Sequence, residues 1–340
     1  MRTVSRFRWL AALTVLLAIP AAATPAAEDC PNRGKLDVLY CDEDRDLVAD
    51  PPKDPRKLVN PSTLIFAYVP VEDPAVYATP FLDLLRHIEK VTGKKTQYFG
   101  PQNYAAQIEA MRSGRLHITA YSTGSVPFAV NLAGAVPFAV MGDDKGGAGY
   151  HLVVITRAGD TRIGSIADLK GKRVAHVSQT SNSGHQAPVY FFSKLGVVPG
   201  KDYEIAFTGK HDNSILGVVN GDYDAAAVAD TVLERMVNRG VVKRTEYRVV
   251  YTSPLFPVAG YSYAHNLEPK LAEKIREAFF SFPIQGSSLA TEWKTYTRFV
   301  PVSYRTDWAA VVGIQEANGV TFTKDSSEYR KLSKPPAKGE

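Results

Sequence analysis

A stretch of uncharged hydrogen-bonding residues at 177–188 (VSQTSNSGHQAP) lies between a strand-like apolar run and a helix-like apolar run. Thr180, Ser181, Asn182 and Ser183 supply hydroxyl and amide groups there, and one of the last three is expected to cap the following helix. The first turn of a helix has backbone N–H groups without intrahelical partners, and such groups bind anions. The stretch is therefore a candidate anion site built from neutral donors. The alternative is a capped helix that binds no ligand.

A second polar turn at 121–125 (YSTGS) ends another predicted strand and precedes another predicted helix. Two such turns that face each other across a cleft would hold a small anion between them. Tyr104 and His211, each near the start of a predicted helix, are further candidate donors. Asp230 follows a strand, and its carboxylate would favour a ligand that still has a proton to donate, such as a P–OH group. Each of these three residues also has an ordinary alternative: a packed aromatic, a surface histidine and a helix cap.

The same residues raise an enzymatic alternative, in which Ser183 or Ser181 attacks a substrate and His185 or His211 acts as the base. The turn lacks the G-x-S-x-G pattern of a nucleophile elbow, and the sequence shows no cluster of metal ligands. We therefore expect a binding protein without a metal or cofactor, rather than an enzyme.

Strand-like and helix-like segments alternate along most of the chain, which predicts an α/β fold. The apolar pattern predicts, among others, helices at 77–92, 104–112 and 126–133 and strands at 173–176 and 225–229. Two apolar strands at 150–156 and 248–252 bracket an inner lobe at residues 153–253. The outer lobe is then discontinuous and comprises residues 62–152 and 254–330. Two strands that connect the lobes are what a hinged cleft requires, because the halves must close on a ligand.

The first 27 residues have the parts of an export signal: arginines, an apolar core too short to span a bilayer, and small residues before the expected cleavage point. The formal net charge of +5 includes the arginines of this leader, and no basic stripe for nucleic acid follows. Cys30 and Cys41 are expected to form a disulfide in an oxidising compartment. Residues 28–61 are predicted to form an extended arm, and residues 331–340 a flexible tail.

Several segments together resemble the substrate-binding proteins of phosphonate, phosphite and phosphate ABC transporters: 102–125 (QNYAAQIEAMRSGRLHITAYSTGS), 180–184 (TSNSG), 209–211 (GKH), 219–225 (VNGDYDA) and 252–257 (TSPLFP). The resemblance extends over about residues 62–300. It implies a type II periplasmic binding protein, in which two α/β lobes, each a mixed central sheet flanked by helices, are joined by a two-strand hinge. It also implies that the oxyanion is held by Tyr104, Tyr121, Ser181, Asn182, Ser183, His211 and Asp230. Ser122 and Thr180, from the same turns, complete the candidate site.

The resemblance implies a periplasmic monomer that carries a small phosphorus-type oxyanion (phosphite, phosphate, hypophosphite or methylphosphonate) to an inner-membrane ABC permease. The alternative is a sensory subunit that presents a phosphorus or arsenic oxyanion to a membrane histidine kinase. Aminoalkyl phosphonates are disfavoured, because the segment 257–261 (PVAGY) has no carboxylate for their ammonium group.

Overall fold

The computed structural model describes residues 30–322. The predicted signal peptide and the predicted tail lie outside the described residues. The strands are β1 (Thr63–Tyr68), β2 (Lys95–Phe99), β3 (Ile118–Tyr121), β4 (Ala135–Asp143), β5 (Gly146–Gly147), β6 (Gly149–Arg157), β7 (Arg173–His176), β8 (Glu204–Phe207), β9 (Ala225–Ala229), β10 (Tyr247–Pro257), β11 (Gly260–Ala264) and β12 (Arg298–Pro301). The α-helices are α1 (Ala75–Ala78), α2 (Leu82–Thr92), α3 (Tyr104–Arg112), α4 (Val126–Ala133), α5 (Ala187–Lys194), α6 (His211–Asn220), α7 (Asp230–Asn238), α8 (Pro269–Ser281), α9 (Tyr304–Asp307) and α10 (Ala309–Ala317).

The strands form two mixed sheets, one in each lobe. The outer sheet has the order β12-β4-β11-β3-β1-β2, with β5 paired to β4, and the inner sheet has the order β10-β6-β9-β7-β8. In the outer sheet β1 is parallel to β2 and β3, whereas β11 is antiparallel to β3 and β4. In the inner sheet β7 is parallel to β8 and β9, whereas β6 is antiparallel to β9 and β10. The predicted two-lobed α/β fold is confirmed.

The chain passes between the sheets at Ala148 and again at Val258 and Ala259. The two crossings lie side by side, because the Val258 amide donates to the Ala148 carbonyl at 3.3 Å. The boundaries expected at residues 152 and 253 fall inside β6 and β10, which are long antiparallel strands of the inner sheet. Two adjacent crossings of this kind allow the lobes to hinge about a common axis.

Helix α2 shows how the apolar pattern fixes the packing of the outer lobe. Leu84, Leu85 and Ile88 lie on one face and are buried, and Gly93 ends the helix in a left-handed conformation with φ 71°. The single helix predicted at 77–92 is instead two helices, α1 and α2. Pro80 lies between them, and it has no N–H to donate to the helical ladder.

The segment at 30–61 packs against the outer lobe, so the predicted extended arm is only partly correct. The Tyr40 hydroxyl donates to the Leu132 carbonyl at 3.3 Å, and the Asp37 amide donates to the Asn131 carbonyl at 2.8 Å. The expected disulfide between Cys30 and Cys41 is present. Within residues 30–322, no helix has both the length and the apolar character needed to cross a membrane.

Candidate functional site: a cleft between the lobes

A cleft between the two lobes encloses about 600 Å³ of space not filled by atoms, part of it open to solvent. We call two sets of its lining residues the polar wall and the aromatic wall. The polar wall consists of Ser122, Thr123, Tyr150, Ser181, Asn182, Ser183 and His211. The aromatic wall consists of Tyr68, Met141, Tyr261, Trp293 and Tyr296.

The polar turn of the inner lobe forms a wide, π-helical turn at Asn182–Gln186, directly before α5. Ser181 caps this turn, because its hydroxyl oxygen accepts a hydrogen bond from the Gly184 amide at 3.0 Å. The backbone amides of Asn182 and Ser183 donate to no residue within 30–322. Since both residues line the cleft, two N–H groups at a helix start are available to an anion.

The polar turns of the two lobes meet at one edge of the cleft. The hydroxyl oxygens of Ser125 and Thr180 are 3.2 Å apart. A Cβ atom at Gly124 would lie 2.1 Å from the Thr180 carbonyl oxygen and 2.7 Å from the Asn182 backbone nitrogen. Only glycine allows this approach, so the starts of α4 and α5 lie against each other with the lobes in contact.

Tyr150 belongs to the polar wall, although the sequence analysis did not select it. Its hydroxyl oxygen accepts a hydrogen bond from Asn182 Nδ2 at 3.0 Å. Burial raises the pKa of Tyr150, and hydrogen bonds with Thr123, Asn182 and Ser183 partly offset this rise. The phenol is therefore protonated and neutral at physiological pH. The signal that could have identified it is a hydroxylated aromatic beside the lobe crossing, near the start of strand β6.

His211 begins α6 and lines the cleft as a neutral donor. Its Nδ1 accepts a hydrogen bond from the Ala229 amide at 3.2 Å, so the ring proton is on Nε2. Burial lowers the pKa of His211 to about 3; Glu72 raises this pKa and Arg235 lowers it. The imidazole is therefore uncharged at neutral pH, with an Nε2–H group to offer an oxyanion.

Two predicted site residues lie outside the cleft. Tyr121 is on the face of β3 that packs against α3, and its hydroxyl donates to Met111 Sδ at 3.4 Å. Neighbouring strand residues point to opposite faces, so the last residue of a strand need not face the loop that follows it. The Asp230 carboxylate accepts hydrogen bonds from the backbone amides of His151 and Thr231, at 3.0 and 2.7 Å. It therefore contributes to the local backbone structure and does not line the cleft, where Thr231 does.

Thr180 and Tyr104 are also absent from the lining. The Thr180 side chain is fully buried at the lobe contact with Ser125. Tyr104 is 2% exposed, and its hydroxyl has no hydrogen-bond partner within 30–322. Burial raises the pKa of Tyr104, as do Tyr150 and Asp212. The structure thus brings five predicted residues together in the cleft: Ser122, Ser181, Asn182, Ser183 and His211.

One charged side chain, Arg235 of α7, is among the lining residues and was not foreseen. Its Nε and Nη2 donate to Glu72 Oε2 at 3.3 and 3.1 Å, and Nη2 donates to the Tyr77 hydroxyl at 3.2 Å. Arg239 also binds Glu72, and it pairs with Glu292 at 2.8 Å. Burial opposes ionisation of Glu72, but Arg235, Tyr77 and Arg239 outweigh it and hold the pKa below the usual value.

These ion pairs join the two lobes, because the arginines are in the inner lobe and the glutamates are in the outer lobe. The aromatic wall lies next to them. The Trp293 ring is 5.6 Å from the Arg235 guanidinium and 5.3 Å from the Tyr68 ring. The residues that line the cleft include no aspartate or glutamate within the described part of the chain.

Comparison with known proteins gives a consistent picture. Residues 66–308 match the family model for the periplasmic substrate-binding protein of a phosphonate ABC transporter. The chain is 30% identical over 235 residues to the phosphate-import protein PhnD of Mycolicibacterium smegmatis. This match covers 64% of this chain and 71% of that protein. It is 28% identical over 208 residues to the phosphonates-binding periplasmic protein of Escherichia coli, and this match covers 60% of this chain and 60% of that protein.

Among solved structures, the PhnD1 protein of Prochlorococcus marinus in complex with methylphosphonate has the same fold. The TM-score is 0.68 at 19% sequence identity, and the match covers 76% of this chain and 99% of that chain.

Proposed function

The chain belongs to the periplasmic substrate-binding proteins of phosphonate ABC transporters, and from this premise we propose that its cleft captures a tetrahedral phosphorus oxyanion for import. The family implies a periplasmic location, a small ligand and a membrane permease as partner. We further propose that the chain acts as a monomer. The export signal predicted at residues 1–27 agrees with this location, although it lies outside the described residues.

The observation that carries the proposal is the set of neutral donors on the polar wall. The amides of Asn182 and Ser183 are free within the described residues, and His211 has its proton on Nε2. A hydrogen bond to a charged oxygen contributes about 1.5–3 kcal/mol, so several of them reach the roughly 8 kcal/mol of a micromolar complex. Neutral donors select by shape, and they leave no unpaired charge buried when the cleft is empty.

We propose a phosphonate with a short uncharged substituent as the preferred ligand, ahead of phosphite, phosphate and hypophosphite. Methylphosphonate is the smallest example. The head group would occupy the polar wall, and the substituent would contact the aromatic wall, where burial of apolar area contributes about 25 cal/mol per Å². An aminoalkyl phosphonate would find no carboxylate among the described residues that line the cleft.

Binding rather than catalysis fits the hydrogen bonds of the proposed nucleophiles and bases. The Ser181 hydroxyl accepts a hydrogen bond from the Gly184 amide, and His211 Nδ1 accepts one from the Ala229 amide. The comparisons favour transport over the sensory alternative, because the matched family model describes a transporter component.

Isothermal titration of the ligand-free protein tests the proposal. The ligands are methylphosphonate, phosphite, phosphate, hypophosphite, 2-aminoethylphosphonate and, as a tetrahedral control without phosphorus, sulfate. We expect micromolar or tighter binding of methylphosphonate, weaker binding of the inorganic phosphorus anions, and the weakest binding of 2-aminoethylphosphonate and sulfate. Absence of binding by every phosphorus anion at millimolar concentration would reject the function.

A further inference from the structure

Contrary to the expectation of a protein without a metal, the loop that follows Cys41 has the ligand spacing of a calcium-binding loop. Carboxylates recur at alternate positions, Asp42, Asp44 and Asp46, and Asp50 follows. With Asp42 as position 1, Asp44, Asp46 and Asp50 take positions 3, 5 and 9, and the Val48 carbonyl takes position 7. EF-hand loops bind calcium through these five positions. The sixth position, where such loops have glycine for a sharp turn, is Leu47, which has a left-handed backbone with φ 75°.

The carboxylates converge in space as well as in sequence. One ligand oxygen from each of Asp42, Asp44 and Asp46 lies within 4.8 Å of the other two. The ends of the loop are held together, because the Asp50 amide donates to the Cys41 carbonyl at 2.8 Å, beside the disulfide. Asp50 lies beside the cluster, because its Oδ2 accepts a hydrogen bond from the Glu43 amide at 2.5 Å.

An unpartnered buried oxygen indicates that the cluster lacks a ligand. Asp42 is 1% exposed, and its Oδ2 accepts a hydrogen bond from the Leu47 amide at 3.2 Å. Its Oδ1 is buried and has no hydrogen-bond partner within 30–322. The Val48 carbonyl likewise accepts no hydrogen bond there. A buried carboxylate oxygen without a partner is costly, and a bound cation would satisfy it.

Within residues 30–322, none of Asp42, Asp44, Asp46 and Asp50 forms an ion pair. Residues 42–50 contain five carboxylates and one basic side chain, Arg45. The carboxylates repel one another, and a cation bound between them would relieve this repulsion.

We propose that Asp42, Asp44, Asp46 and Asp50, together with the Val48 carbonyl, bind one Ca²⁺ ion. All five ligands are oxygen atoms, which suits a hard cation, and Ca²⁺ accepts irregular sets of six to eight oxygens completed by water. Mg²⁺ requires a near-ideal octahedron, and Zn²⁺ prefers nitrogen and sulfur ligands. Position 12, where EF-hands have a bidentate glutamate, is Lys53 here, so the affinity falls in the range of about 10⁻⁴ to 10⁻³ M seen in extracellular modules. The ion would fix the 42–50 loop on the outer lobe.

The test uses the whole protein after treatment with EDTA. We expect added Ca²⁺ to raise the unfolding temperature by several degrees, because a ligand that binds only the folded state stabilises it. Titration calorimetry should give one ion per chain. The double variant Asp44→Asn/Asp46→Asn changes two exposed side chains, so it should fold and lose the response. Glu273→Gln, an exposed acid on α8, is the matched control and should keep it.

An unchanged unfolding temperature of the original protein in excess Ca²⁺ would overturn the proposal. So would an equal response of the double variant, or an equal response to Mg²⁺ or to NaCl of the same ionic strength. Oxyanion binding measured in parallel keeps this result separate from the proposed function, because the loop contributes no residue to the cleft.

Discussion

The polar wall of the cleft consists of neutral groups, whereas a charged side chain lies beside the aromatic wall. The polar wall uses neutral donors such as Tyr150, the Ser183 amide and His211, with their protons placed by neighbouring hydrogen bonds. Next to the aromatic wall, Arg235 has a full charge, but Glu72 neutralises it across the lobe interface. This difference agrees with the proposal that the polar wall binds the anionic head group, whereas the buried ion pairs beside the aromatic wall join the two lobes.

Breaking the ion pairs should give the largest effect. Replacement Arg235→Met leaves the buried Glu72 with less compensation, so we expect the free energy of unfolding to fall by about 3–5 kcal/mol. Arg244→Met is the control, because it removes an exposed pair with Glu234 and should change the stability little. Urea unfolding of the two variants measures both values, and equal losses would contradict the role given to Arg235.

We expect acid to lower the free energy of unfolding through His211, a residue of the polar wall. Its pKa is about 3 in the folded protein against an ordinary value of 6.5, so between these values the unfolded chain binds a proton that the folded protein does not. The stability contributed by neutral His211 is complete above pH 6.5 and is lost as the pH falls towards 3. The expected slope is about 1.4 kcal/mol per pH unit.

Urea unfolding at several pH values, comparing the original protein with His211→Gln, isolates this contribution. The variant should lose stability less steeply on acidification. His265, with a pKa of about 4, titrates in both proteins and so cancels in the comparison. Parallel curves for the two proteins would show that His211 is not held neutral.

The smallest expected effect compares two tyrosine hydroxyls. Tyr150→Phe removes a donor from the polar wall and should weaken methylphosphonate binding by about 1–3 kcal/mol. Tyr121→Phe removes a hydroxyl that donates to Met111 Sδ and lies outside the cleft, so the affinity should not change. Titration calorimetry measures both variants. A loss with Tyr121→Phe, or none with Tyr150→Phe, would mean that the polar wall is wrongly assigned.

The bounds of helices and strands were predictable from the sequence where they depend on residues close together in the chain. Helices α3 and α4 and strands β7 and β9 have the bounds expected from the apolar pattern. Asn103 caps α3 and Gly134 ends α4, and such boundary residues act within one turn of the chain. Strand β11 was not anticipated, although it lies between β3 and β4 in the outer sheet. Its short sequence, GYSYA, has no β-branched residue, and it is a strand because two neighbouring strands pair with it.

The residues of the candidate site were likewise predictable from the sequence only where they depend on local features. The turn at 180–184 identified Ser181, Asn182 and Ser183, because a hydroxyl-rich helix start is a local feature. Tyr121 and Asp230 were selected in the same way but lie outside the cleft. A position at a strand end does not specify which face of the sheet the side chain occupies.

The sequence by itself determined the family, the alternation of strands and helices, and the two helix starts rich in hydrogen-bond donors, since each depends on residues close together in the chain. Only the tertiary structure decided which side chains line the cleft and that it contains a charge. Arg235 and Glu72 are separated by 163 positions, and their pairing exists only when the two lobes meet. Contacts between distant segments depend on how the lobes pack, which no local pattern encodes.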